Sequence, residues 1–329
     1  MRTPRHARFW SAGSALVVLA AMLGAFGHGL AAQAVNTLEG DAWLYNAVNS
    51  SVSLVNGYSA RTEAQTGIGA NGKVQVVDTA NGAVVAGGNG ELTSIANDDF
   101  STSGGIRLFG GAPVTAAAGG CATSSGGCAL YAVDEAGGRI QQLRQTATGL
   151  ATVGPLIQVG ASITTPVVAA DGSLYVAEPA SGAVGHDVSQ NLATIPAVAP
   201  AKDNLDLVLA GTVPVAVDLS AGTLQPLGAN AIRGARTRLP AGFEIAQAAG
   251  SDTKDGVVAV VGDRAVDVVS TLNSSVQANP LSTPIAPTAA AMVGDVVVLI
   301  NSAAHDVLVL NTDTHKLLAT DTIDRKSVV

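Results

Sequence analysis

One local phrase recurs along this chain: an apolar run ends in a carboxylate, a glycine follows four residues later, and a second apolar or alternating run resumes. It occurs as Asp78/Gly82 in VVDTANGAV, Asp134/Gly138 in LYAVDEAGG, Glu178/Gly182 in LYVAEPASG and Asp218/Gly222 in VAVDLSAG. The carboxylate can accept backbone N–H bonds across a turn, and the glycine supplies the positive φ that lets a second strand return. Asn311 and His315 in LNTDTHKLL form a decayed fifth copy. Such a repeat confines the chain to short antiparallel strands joined by tight turns.

Composition agrees with that reading. Of the 329 residues 47% are hydrophobic, only 3% are aromatic and 38 are glycine. The core must therefore be built from Val, Leu, Ile and Ala, and no stretch after residue 40 sustains a helical period, so the chain reads as all-β. When Leu44, Val76, Leu130, Leu174, Val215, Val258 and Val297 are taken as equivalent, the steps are 32, 54, 44, 41, 43 and 39 residues, with a mean of about 42. A four-stranded propeller blade commonly takes ~40–50 residues. The expectation is a seven-bladed β-propeller over residues 35–323. Its last repeat, with Val296–Ile300, Val307–Leu310 and Lys316–Thr320, reads as one strand short. Val35 to Gly40 is expected to supply the missing strand and remove an exposed edge.

Residues 1–34 read as a signal peptide or membrane anchor. Arg2, Arg5, His6 and Arg8 precede an apolar run from Ala12 to Ala32, and Ala32-Gln33-Ala34 fits a small-x-small cleavage signal before Val35. The run is also long enough to span a bilayer as a helix if uncleaved. Either way the expected location is exported, facing outside the cell, with membrane contact only through this segment. At the other end, Asp324-Arg325-Lys326-Ser327-Val328-Val329 is what a common sequencing adapter gives when translated in one frame. Residues 324–329 are accordingly expected to be a non-native tail on a fragment.

The formal charge is −8; setting aside Arg2, Arg5 and Arg8 leaves 14 basic against 25 acidic residues, or −11. That balance argues against nucleic acid and anionic membrane surfaces as partners. Cys121 and Cys128 in CATSSGGC are the only cysteines, and in an exported chain they read as a disulfide pinning a small loop.

Motifs that could carry chemistry have plainer readings. Gly67-Ile68-Gly69-Ala70-Asn71-Gly72 is formally GxGxxG, but it runs into a strand and not a helix, so it reads as a turn. Asp252-Thr253-Lys254-Asp255-Gly256 lacks the remaining ligands of a calcium loop. Asp98 and Asp99 are adjacent and offer no separated acid–base pair. His186, His305 and His315 each lie in or beside a hairpin without a second ligand at metal spacing. A propeller channel could still gather His186, Asp218, Asp255 and His305 from distant blades, and Asp78, Asp134, Glu178 and Asp218 could form a ring of acids that binds a cation or a sugar. No cofactor or metal is expected.

The repeated phrase, the leader and strand openings such as GDAWLYNAVNSSVSLVNG resemble the N-terminal regions of large exported actinobacterial proteins that carry fibronectin type III or Ig-like modules. The resemblance implies a propeller-like region behind a membrane-proximal leader, with the modules belonging to a missing C-terminal part. It also implies a connection to polysaccharides, by association alone. The reading is a non-enzymatic, monomeric interaction or display scaffold at a bacterial cell surface, with an unknown protein or polysaccharide partner. The alternative is a carbohydrate-binding or polysaccharide-degrading protein with a site in its channel.

Overall fold

The computed structural model describes residues 41–322, apart from 47–48, 57–60, 70–73, 120–127, 160–161, 189–190, 229–232, 241–246, 252–254, 282–286, 288 and 302–305. Residues 1–40, with the expected leader and Val35–Gly40, and residues 323–329, with the expected tail of 324–329, lie outside the described residues, so the calls made on them do too. Among the described residues there is no α-helix, and no helix long and apolar enough to cross a membrane.

Among the described residues twenty-seven strands form seven antiparallel sheets, each made of consecutive strands. Sheet 1 contains β1 (Asp41–Asn46), β2 (Ser51–Asn56) and β3 (Arg61–Gly67). Sheet 2 contains β4 (Gln75–Thr79), β5 (Gly82–Ala86), β6 (Glu91–Ala96) and β7 (Ile106–Arg107). Sheet 3 contains β8 (Thr115–Gly119), β9 (Ala129–Asp134), β10 (Arg139–Thr146) and β11 (Gly149–Gln158). Sheet 4 contains β12 (Thr164–Val168), β13 (Leu174–Glu178), β14 (Ala183–Val188) and β15 (Asn191–Ile195). Sheet 5 contains β16 (Leu205–Ala210), β17 (Val213–Asp218), β18 (Thr223–Pro226) and β19 (Thr237–Arg238). Sheet 6 contains β20 (Gln247–Gly250), β21 (Val257–Val261), β22 (Ala265–Ser270) and β23 (Ser275–Pro280). Sheet 7 contains β24 (Ala289–Val293), β25 (Val296–Asn301), β26 (Asp306–Asn311) and β27 (Lys316–Thr322).

The first strands of successive sheets lie against one another, from β1 through β4, β8, β12, β16 and β20 to β24. Pleating then divides each strand between two neighbours. On β13, Leu174 and Val176 join the core shared with sheet 3, whereas Tyr175 and Ala177 join the core shared with sheet 5. On β17, Val215 and Val217 face sheet 6 and Ala216 faces sheet 4. On β21, Val258 and Val260 face sheet 5 while Ala259 and Val261 face sheet 7. Strands buried on both faces read as unbroken apolar runs, which is why the sequence locates them so well.

The spacing argument needs correction in two places. Leu44 and Val76 lie on first strands, whereas Leu130, Leu174, Val215, Val258 and Val297 lie on second strands. Crossing from a first to a second strand lengthens the step from Val76 to Leu130, whereas the short step from Leu44 to Val76 spans the three-stranded sheet 1. For the same reason Asp78 and Gly82 bracket a first-to-second hairpin, while the other three pairs bracket second-to-third hairpins. The second-to-third turn of sheet 2 is instead Gly87–Gly90, with Gly90 at φ +75 and Asn89 Oδ1 accepting the Glu91 N–H at 3.2 Å.

The last repeat is not a strand short. Its first strand is β24, an Ala-rich run with weak intrinsic strand preference that the apolar pattern passes over. The three-stranded sheet is the first one, among the described residues. The reason for borrowing a strand at sheet 7 therefore falls away.

Gly182 sits at φ +69, and a Cβ there would collide with the Ala199 carbonyl oxygen. Gly294 has φ +56 with open space around it. Gly182→Ala is expected to lower stability by about 2–4 kcal/mol, and Gly294→Ala by about 1 kcal/mol, since only the former adds a backbone clash to strained φ. Urea denaturation of the two variants checks the difference, and equal losses would contradict it.

Candidate functional site

The turn carboxylates of sheets 3, 4 and 5 occupy equivalent positions, at the end of each second strand. Asp134 accepts the Gly137 N–H at 3.0 Å through Oδ1 and the Arg139 Nε–H at 2.7 Å through Oδ2, completing an ion pair. The same guanidinium donates to the Phe109 carbonyl at 3.2 Å and lies 5.1 Å from that ring's centroid. Asp218 Oδ1 accepts the N–H groups of Ser220 and Ala221 at 3.0 and 2.8 Å. Glu178, one methylene longer, accepts the Ser181 hydroxyl at 3.2 Å. All three are buried. Their oxygens are engaged in local turns, and Asp78 stands at the other kind of turn, so the four do not form a ring of ligand-ready acids.

The remaining sequence-derived positions disperse. Gly138 and Gly222 adopt φ of +59 and +63 in their turns, and Gly82 adopts φ +134 beside Thr79, whose hydroxyl donates to the Gly82 carbonyl at 3.0 Å. Asn311 Oδ1 accepts the N–H groups of Asp313 and Thr314 in the β26–β27 turn, with His315 at φ +54. Asp255 lies against Gly211, in the turn before β21. Gly67 ends β3, and the Ile68 N–H donates to the Ser50 carbonyl at 2.9 Å. Asp99 accepts hydrogen bonds from Ser101, which lower its pKa. Cys128 is disulfide-bonded, and its Sγ accepts the Ala80 N–H at 3.0 Å. Cys121 and His305 lie outside the described residues. Of the four residues that could have met in a channel, His186 stacks on Tyr175, Asp218 bonds its own turn and Asp255 lies against the β16–β17 turn, so the three are not brought together. No group of three potential metal ligands occurs among the described residues.

Among the described residues, buried titratable groups concentrate around sheet 4. His186 and Asp187 are consecutive on β14, so they point to opposite faces. His186 pairs across the strands with Tyr175, and their rings stack at 4.3 Å and 23°. Asp187 faces sheet 3, where its charge acts on the Tyr131 phenol, and Tyr131 donates to the Gly172 carbonyl at 3.1 Å. Burial first, then the charges of Asp187 and Asp171, push the Tyr131 pKa well up. Burial and then Asp171 push Tyr175 up to about 12. Burial lowers the His186 pKa, opposed by Asp171, and its Nε2 has no partner. The cluster therefore holds neutral phenols and a neutral imidazole.

Sequence reasoning singled out His186 but missed Tyr131, Tyr175, Asp171 and Asp187. A signal was present: Leu-Tyr opens both LYAVDEAGG and LYVAEPASG, placing the two tyrosines at matching positions of adjacent sheets.

No protein-family model matches the chain, and no curated protein matches it. Solved structures do. Virginiamycin B lyase from Staphylococcus aureus superposes at a TM-score of 0.58 with 11% identity, over 80% of this chain and 88% of that one. Hsv2 from Kluyveromyces lactis gives 0.59 at 11% identity, over 87% and 96%. Dihydro-heme d1 dehydrogenase NirN in complex with DHE gives 0.63 at 11% identity, over 87% and 64%. The fold is that of a β-propeller. At such identities the likeness shows the fold alone, and it joins enzymes with a protein that carries no activity in its name.

Two buried groups give opposite pH signatures. Asp267 on β22 is 1% exposed among valines, both oxygens lack partners, and burial raises its pKa. The unfolded chain ionises freely above about pH 4 while the folded one resists, so this group weakens the fold as pH rises above that value. Asp267→Val is expected to stabilise the protein by about 1–3 kcal/mol at pH 7, with a smaller gain at pH 4, in denaturation curves at both pH values.

His186 acts the other way. Its lowered pKa means that the unfolded state takes up a proton first, so stability falls as pH drops below about 6.5 toward the folded value. His186→Phe keeps a ring against Tyr175 and removes the proton site. The thermal midpoint of the variant should fall less between pH 7 and 5 than that of the native chain; equal slopes would refute the assignment.

Proposed function

We propose that this chain is a rigid propeller platform at the outside of a bacterial cell, which binds a partner through its loops and does no covalent chemistry. The observation that carries the reading is the use of its acids and histidine. Asp134, Glu178 and Asp218 are engaged in turns, and His186 is packed between sheets against Tyr175. An active site needs a nucleophile, base or metal set presented to a substrate, whereas these groups are presented to the protein itself. The exported location rests on the leader pattern of residues 1–34.

Two assays test this reading. Residues 1–40 fused to a periplasm-dependent phosphatase should give activity outside the cytoplasm. The purified chain, incubated with isolated cell-envelope material, should be retained saturably and release no soluble sugar or peptide. Product release that disappears in Tyr131→Phe or His186→Ala would make the buried cluster catalytic and overturn the platform reading.

A further inference from the structure

Sheet 1 has three strands among the described residues, where the other six sheets have four. By chain order β1 is its first strand; matched to the other sheets, it is a second one. First strands elsewhere start at residues 75, 115, 164, 205, 247 and 289, so 40 to 49 residues separate neighbours. Taken as a first strand, β1 starts only 34 residues before β4 (41 to 75). Taken as a second strand, it starts 41 residues before β5 (41 to 82), and β2 starts 40 before β6 (51 to 91).

Turns and pleat agree. The β1–β2 turn takes four residues, 47–50, as do the second-to-third turns 87–90, 135–138, 179–182 and 219–222. Three first-to-second turns take two, at 80–81, 211–212 and 294–295. Tyr45, like Tyr131 and Tyr175, follows a leucine and packs toward the next sheet. β1 touches β4 as β5 touches β8 and β13 touches β16, a second strand against the next first strand.

What sheet 1 lacks is therefore its innermost strand. The edge of β1 turned away from β2 carries no strand among the described residues, and its backbone donors and acceptors are a template for one. Leu44 is only half-buried there, whereas its counterparts Leu130 and Leu174 are buried.

We propose that this edge is a strand-acceptor site and that its occupant is the chain's own Val35–Leu38. The segment ends where β1 begins, and Glu39-Gly40 leaves a two-residue turn like those that join other first and second strands. The register follows: Leu38 opposite Asp41, Thr37 opposite Ala42, Asn36 opposite Trp43, and Val35 against the half-buried Leu44. Four residues suffice, since β20 has no more. A strand from another molecule would compete with one tethered two residues away, at an effective concentration of about millimolar or higher. The segment thus completes sheet 1 and not sheet 7, and cleavage after Ala34 would leave all of it on the mature chain.

The test is amide hydrogen exchange and cysteine pairing in the full chain. The pair flanking a two-residue turn is hydrogen-bonded and alternate residues then face the partner, so Asn36 donates to β1 while Thr37 points away. Proline has no N–H to donate. N36P should speed exchange of the Trp43 amide by about tenfold or more and lower the thermal midpoint, whereas T37P should change that exchange by less than about twofold. Under oxidation V35C/L44C should form a disulfide within one chain, and N36C/L44C, one residue out of register, should not. Equal effects of the two prolines, no effect of either, or no V35C/L44C bond would overturn the proposal. A V35C/L44C bond between two chains would give the edge to a second copy and overturn the occupant.

Discussion

Each sheet here has two apolar faces, and neither can be left to water. A sheet with one apolar face finishes its packing with a single partner; a sheet with two must be flanked on both sides, and its partner then faces the same demand. The alternation on β9, β13, β17 and β21, odd residues to one neighbour and even residues to the other, is that demand written residue by residue.

Polar groups are consequently pushed to the strand ends. The carboxylates that close second strands bond their own turns, and Asn89, Asn273 and Asn311 accept turn N–H groups in other hairpins with the same geometry. Where a polar residue remains inside it either finds a partner, as the Tyr131 hydroxyl does in the Gly172 carbonyl, or raises a cost, as at Asp267. Exposed charge then sits toward the outer strands, where Arg233 and Arg236, just before the short β19, lean on a neighbouring connection.

What the sequence revealed and concealed follows from these same constraints. Strands such as Val257–Val261 were legible to the residue, because burial on both faces leaves no polar interruption. The turn chemistry was legible too, yet it marks a hairpin without saying which hairpin, so Asp78 was grouped with Asp134 although its turn joins a different pair of strands. β24 was overlooked because alanine carries little strand preference. The buried cluster escaped because its members meet only through pleating and sheet stacking: Tyr131 and Asp187 are 56 positions apart, and no local pattern links them. The bonds of Arg233 and Arg236 to the carbonyls of Pro196, Ala197 and Val198 were not visible in the sequence either, since they join segments more than 35 positions apart.

Trp43 lies in the first of the inter-sheet cores, 4% exposed and tilted at 58° to Phe100 with centroids 6.0 Å apart. The other tryptophan of the chain, Trp10, falls within residues 1–34. In a chain lacking those residues, indole emission is therefore a report from one seam between two sheets, while the amide signal in the far ultraviolet averages over all seven. The protein carries a built-in optical gauge of whether its first sheet lets go together with the others or alone.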